Sequence, residues 1–263
     1  MYLIDTHIHL DNIQYETDVD EVIQRALDNG IKGFLIPGAD PKDLPKAQAL
    51  AEKYDQVFFA VGFHPYDCES YDYSILEKYA THPKCIAIGE CGLDYYRLPK
   101  DPLEKQQNIQ MQKEVFINQI EFAKKVNKPL IVHIRDASDD SRSILIDHNA
   151  KEVGGVLHCF NASEHLLILS DHQFYFGIGG VLTFKNAKAL VEILPKIPKE
   201  KLLIETDGPY LTPHPHRGER NEPYNTNFVA QKMAELLDED FQNIQELTTS
   251  NAKKLFKEFC TIN

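Results

Sequence analysis

The sequence predicts an α/β protein and, within that class, a closed (β/α)8 TIM barrel. Three observations point there. Short apolar runs recur along the whole 263-residue chain, stretches with helical spacing separate them, and the runs number eight. Near-continuous apolar strands alternating with amphipathic helices make a parallel sheet covered on its faces. Eight such strands, in a chain close to the roughly 250 residues typical of the fold, close a barrel. An open doubly wound sheet would show a glycine-rich phosphate loop after its first strand, where this chain reads "HIHLD".

Strand 1 is "YLIDTHIH", residues 2–9. "DVDEVIQRALDNG" then sets Val19, Val22, Ile23, Ala26 and Leu27 on one helical stripe and stops at Gly30, a residue suited to ending helices. "KGFLIPG" and "VFFAVGF" supply strands 2 and 3, and "CIAIGE" strand 4. A longer helix follows Pro102, with Phe116, Ile120 and Ala123 on one stripe and Lys124 and Lys125 near its negative end. "PLIVHIR", "GGVLHCF", "FYFGIGG" and "KLLIETD" are strands 5 to 8. The Pro-rich "DGPYLTPHPHRGERNEP" has no periodicity and reads as a long loop, uncommon at that length unless functional. From about residue 225, two terminal helices are expected to pack on the barrel, making residues 1–263 one domain.

The net charge of -12 and pI near 5.4 argue against a basic surface that coats polyanions. A nucleic-acid substrate stays compatible, because metal ions and a few arginines supply positive charge locally. The N-terminus lacks a basic-then-apolar leader, and no apolar run approaches membrane-spanning length. Five scattered cysteines without a C-x-x-C pair fit a reduced thiol inventory. The expectation is a cytoplasmic monomer with no membrane association and no obligate protein partner.

Polar residues fall repeatedly at strand C-terminal ends, where a barrel of this kind opens its active-site mouth. Strand 1 ends in His7 and His9, in phase with Asp5; strand 4 ends in Glu90, strand 5 in His133, strand 6 in His158, strand 8 in Glu205 and Asp207. Imidazoles and carboxylates are the ligands of zinc, manganese and other first-row divalent ions. An H-x-H pair alone is a weak signal, and a lone buried histidine more often completes a core hydrogen-bond network. The constellation is stronger, since five strands place metal-type residues at one end. Six ligands, leaving Glu205 aside, exceed one tetrahedral zinc and suit two ions sharing a carboxylate and a water. The pair His214 and His216 in "PHPHR" lies on an extended, proline-flanked path where alternate residues do not share a face, and reads as loop. Cys91 and Cys159 each follow a proposed ligand, so alternation turns both outward, toward the helices.

Together "DTHIHLD", "GFHP", "IGECGLDY", "VHIRDA", "LHCF", "GIGG" and "IETDGPYL" followed by "RGERNEP" resemble the TatD family of metal-dependent deoxyribonucleases, of the amidohydrolase-like barrels. The match runs in order from residue 5 to about 223. The resemblance implies that His7, His9 and Asp207 hold one metal, His133 and His158 a second, and that Glu90 bridges them. It also implies hydrolysis of DNA, often from the 3′ end and on single strands.

Two divalent ions, of zinc, manganese, magnesium or nickel, can acidify a shared water for attack on a phosphodiester. Asp207 would then accept the water's proton. Glu205, one step deeper, and Asp5 are expected to support the ligands from behind. Arg135, two residues after His133, is expected to clamp a phosphate, as are Arg217 and Arg220 on the last loop. His64 is placed to donate to a phosphate oxygen, and Asn221 either contacts substrate or orders its loop. Tyr66, Tyr95, Tyr96 and Phe160 are candidates for stacking bases. Two rivals stay open: a barrel of the same type acting on a small amide, ester or lactone, and a non-catalytic barrel that keeps its metal for stability.

Overall fold

A computed structural model describes residues 1–262. Among them eight strands form one all-parallel sheet in sequence order: β1 (Leu3–Asp5), β2 (Ile31–Ile36), β3 (Val57–Val61), β4 (Cys85–Asp94), β5 (Leu130–Arg135), β6 (Gly155–Leu157), β7 (Phe174–Ile178) and β8 (Leu202–Ile204). Each coincides with one of the eight apolar runs. The helices are α1 (Val19–Asp28), α2 (Leu44–Lys53), α3 (Tyr73–Ala80), α4 (Pro102–Val126), α5 (Ser138–Asp147), α6 (Lys188–Ile193), α7 (Thr226–Leu237) and α8 (Phe241–Leu255). Between β6 and β7 the chain departs from the pattern: the connection is a 3-10 segment, Glu164–His172.

Local chemistry sets the ends of these elements. α1 buries Val22, Ile23 and Ala26, and the chain turns at Gly30, whose φ of +80° is a conformation only glycine adopts freely. α4 starts where the Asp101 carboxylate accepts from the backbone N–H of Leu103 and Glu104, with Pro102 at the first helical position. Gly92 in β4 has φ +137°, and a Cβ there would stand 2.0 Å from the His133 carbonyl oxygen. That close approach of β4 to β5 brings Glu90 and His133 to one place.

The core has two parts. Inside the barrel, Ile4, Leu35, Phe58, Ala60, Ile131, Val156 and Leu203 pack on Phe256, Phe259 and Ile262 from the C-terminal segment, which plugs the bottom. Outward faces of the strands pack against the helices. The seam between first and last strands is closed above them by backbone hydrogen bonds: Thr6 N–H to the Ile204 carbonyl (3.1 Å), Asp207 N–H to His7 (2.9 Å) and His9 N–H to Gly208 (2.9 Å). No helix among the described residues is long and apolar enough to cross a membrane.

Candidate metal centre

Strand alternation builds the site. Ile131, Val156 and Leu203 point into the barrel, so the side chains two residues further on, His133, His158 and Glu205, do so as well, one layer nearer the mouth. Glu90 lies at the centre. Its Oε1 stands 3.0 Å from His133 Nδ1 and 3.1 Å from His158 Nε2, while its Oε2 faces His7 Nε2 at 3.5 Å. Asp207 Oδ1 lies 3.5 Å from His9 Nε2 and 3.7 Å from His7 Nε2. The rings of His7 and His158 stack with centroids 3.8 Å apart. Four overlapping donor groups emerge, His7–His9–Asp207, Glu90–His133–His158, His7–His158–Glu205 and His64–Asp94–His133, of which the first two hold all six of the expected ligands.

Two features make this arrangement a fit for cations. His7 Nδ1 and Nε2, His158 Nδ1 and Glu205 Oε2 are buried with no hydrogen-bond partner, a costly state unless something else takes their lone pairs. The 3.5–3.7 Å separations around His7 and Asp207 exceed hydrogen bonds. Two donors each about 2.1 Å from one ion at a tetrahedral angle stand about 3.4 Å apart.

The electrostatics pull the same way. Burial works against the Glu90 carboxylate, but His158, His133 and His7 outweigh it and hold its pKa well below the usual range. Asp207 is likewise held down against burial, by His9, His158 and His7. Burial opposes the charge on His158, yet Glu90 and Glu205 raise its pKa well above that of free imidazole; for His133, Asp94 and Glu90 do the same against burial. His9 is raised by Asp207 despite burial, and burial beside His158 lowers His7. Protons thus occupy positions that divalent cations can take.

The supporting shell is extensive. Glu205, fully buried, accepts from the Cys159 backbone N–H and lies 3.6 Å from His158 Nδ1. Asp5 accepts from the backbone N–H of Thr206 (3.0 Å) and His7 (3.3 Å) and meets the Thr206 hydroxyl. It therefore ties β1 to the end of β8 instead of facing the pocket with His7 and His9. Burial pushes its pKa up to about 8. The Thr206 hydroxyl donates to the Asp5 carboxyl and accepts from the Gly208 backbone N–H, while the Thr6 hydroxyl donates to the Ile204 carbonyl on the same seam.

His64 stands at the rim, its Nε2 3.7 Å from Glu90, with Nδ1 accepting from the Tyr66 N–H. Arg135 borders the cavity beside the cluster and lies 3.7 Å over the Tyr96 ring. Tyr66 and Tyr96 are exposed at this mouth and Phe160 lines the cavity. Tyr95 is committed to packing by its 2.8 Å hydrogen bond to Asp140.

Several expectations are corrected. Arg220 does not reach the pocket: Asp18 and Glu222 hold its guanidinium in a lateral network that includes Arg25, over the Tyr15 ring. Arg217 stacks on Phe184 and donates to the Thr212 carbonyl, which anchors the loop. Asn221 is fully buried, and its amide donates to the Thr206 and Tyr210 carbonyls while its oxygen accepts from Glu222 and Asn225. It orders the segment that carries Asp207 and has no atom left for substrate. Cys159 lines the cavity instead of facing the helices, because β6 ends at Leu157 and a φ of +44° at Cys159 breaks the alternation. Cys91, by contrast, is turned away as expected, with Sγ on the Ile131 carbonyl.

Sequence reasoning missed Asp94. Its Oδ2 lies 2.9 Å from His133 Nε2 and its Oδ1 accepts from the Tyr96 N–H. The signal was present, since Asp94 keeps the phase of Glu90 four residues on. Also missed were Gln112 and Gln119, two turns apart on one face of α4. Gln112 brackets the Asp94 peptide, accepting from its N–H (2.9 Å) and donating to its carbonyl (3.0 Å). Gln119 does the same to Phe63, just before His64, at 2.8 and 3.0 Å.

The profile of the family described as TatD related DNase matches residues 4–257. The metal-dependent hydrolase YabD of Bacillus subtilis is 44% identical over 261 residues, covering 97% of this chain and 99% of that protein. The 3'-5' ssDNA/RNA exonuclease TatD of Escherichia coli is 36% identical over 264 residues, 97% of this chain and 98% of its own. Among solved structures, the TatD homolog YJJV of Escherichia coli superposes with a TM-score of 0.87 at 28% identity, covering 97% of this chain and 98% of that one.

Proposed function

This chain belongs to the TatD related DNase family, and from that membership we propose that it hydrolyses DNA phosphodiester bonds, working from the 3′ end of single strands. Metal-dependent hydrolysis comes with the family. The observation that carries the finer reading is the shared carboxylate, since Glu90 turns one oxygen to His7 and the other to His133 and His158. In this reading His7, His9 and Asp207 hold one divalent ion, His133 and His158 a second, and Glu90 both; zinc, manganese, magnesium and nickel suit these donors. Bound there, the ions supply Lewis-acid charge for the phosphate and an acidified water.

The side chains provide the rest. Asp207, kept ionised by its histidine neighbours despite burial, is placed to accept the proton of the attacking water. Burial lowers the His64 pKa to about 4, so its ring is neutral at physiological pH. Because Nδ1 accepts from Tyr66, the proton is on Nε2, which faces the cluster and can donate to a phosphate oxygen. Arg135 offers a guanidinium beside the same cavity. A net charge of -12 favours gripping a strand at its end over coating a duplex, which needs many basic contacts.

Chelator-stripped protein reloaded with manganese or magnesium should shorten a 5′-labelled single-stranded oligonucleotide from its 3′ end. Asp207→Asn should reduce the rate by orders of magnitude with an unchanged circular dichroism spectrum. Turnover of a small amide, ester or lactone while the oligonucleotide stays intact would overturn the nuclease reading.

A further inference from the structure

One cavity adjoins the cluster on the side of β5 to β8. It measures about 530 Å³ and shares His133, His158 and Asp207 with the metal centre. Its other walls are mostly apolar, with Phe160, Val181, Leu190 and Leu211, and carry the Asn161 and Asn186 amides and the Tyr210 side chain. Phe160 is held by an edge-to-face contact with Phe176 at 4.9 Å, so the wall it forms is rigid. On the opposite side of Arg135 lies the exposed Tyr96 ring.

We propose that this cavity receives the terminal nucleoside of a single strand, its base between Phe160 and Leu211, while the phosphate that joins it to the next nucleotide lies at the cluster beside Arg135. The proposal rests on the phosphodiesterase reading above and names the part of the substrate that the site encloses. A phosphate at the cluster has two substituents. One of them must enter the cavity, and the other must leave across the rim toward Tyr96. The cavity lies within the roughly 300–1,000 Å³ that enclose one small organic molecule. Apolar walls with a polar edge match a flat heterocycle whose faces are apolar and whose rim makes hydrogen bonds. A base placed there has left its stack and its partner, which is costly in a duplex and far less so at a single-stranded end. The cavity therefore selects unpaired ends.

The chain contains no tryptophan, so Ala189→Trp, at the exposed rim of this cavity, creates a single fluorescent reporter. Zinc-loaded Ala189→Trp is titrated with thymidine and deoxyadenosine 5′-monophosphates, with 2-deoxyribose 5-phosphate, and with inorganic phosphate. Saturable quenching by the two nucleotides, at least tenfold tighter than any response to the two base-free probes, is expected. Equal responses to all four would show that only phosphate is recognised and overturn the proposal. In a second arm Ala187→Phe, which fills the cavity, should raise KM at least tenfold for an oligonucleotide with an ordinary 3′ end. For one whose terminal residue lacks a base, the same variant should change KM little. Equal penalties on both substrates would also overturn it. Nucleotide-specific quenching in a protein that cleaves no oligonucleotide would leave the cavity assignment standing and remove the nuclease reading instead.

Discussion

Asp94→Asn is the substitution that most directly probes how the centre is held. Both oxygens of Asp94 accept from N–H donors, Oδ1 from Tyr96 and Oδ2 from His133 Nε2, each at 2.9 Å. An amide has a single acceptor, so one donor must face an NH2 group. If that donor is Tyr96, a partly buried N–H loses its partner, at up to about 1–3 kcal/mol. If it is His133, the ring must move its proton to Nδ1, the atom 3.0 Å from Glu90 that would otherwise offer its lone pair to a cation. Either route weakens the centre by about 1.4–2.7 kcal/mol, which is the 10–100-fold loss of metal affinity seen when a carboxylate behind a ligating histidine is removed. The assay is competition for zinc against a chromophoric chelator, with thermal unfolding as a control for the fold. Parental zinc affinity in a folded Asp94→Asn protein would refute the view that Asp94 fixes the His133 tautomer.

Three further outcomes are expected. Gln119→Leu removes both partners of the buried Phe63 peptide and should destabilise the protein by about 2–5 kcal/mol in urea unfolding; a loss below about 1 kcal/mol would count against the bracket. Addition of zinc to stripped protein at pH 6.5 should release protons, because the raised His158, His133 and His9 are charged there, and apparent affinity should climb as pH rises through their pKa values; an indicator dye that shows no release would contradict this. Asp5 retains its proton up to about pH 8 when folded but only to about 3.9 when unfolded, so its contribution is full below the lower value and falls as pH rises to the upper. Asp5→Asn is neutral at every pH, so its stability relative to the parent should rise by a few kcal/mol as pH climbs from 5 to 8, whereas a pH-independent difference in urea midpoints would exclude a buried neutral acid.

The alternation of side chains explains both what the sequence disclosed and what it hid. His133, His158 and Glu205 were legible because their strands run regularly and period-two placement carries the polar residue to the mouth. Asp94 escaped because β4 continues four residues past the apolar run, with a register shift against β5 between Ile88 and Cys91. Cys159 was misplaced where a left-handed residue ends that periodicity; Asp5 stands behind His7 as a supporting residue, but from the seam between β1 and β8, which draws its carboxylate sideways to Thr206. Arg220 and Asn221 lie in a loop without periodicity, and only folding shows that Asp18, Glu222 and the Thr206 carbonyl consume their polar atoms. Gln112 and Gln119 look like ordinary surface residues of a helix until the strand ends they bracket are in place.

The hydrogen bonds that join Asp207 to His7 and His9 to Gly208 span some two hundred residues of chain. A polypeptide still leaving the ribosome has made both histidines long before the carboxylate opposite them exists. Seating the last strand is thus what closes the cylinder and what brings a carboxylate to the two histidines, and a chain broken off before it would leave them without that neighbour.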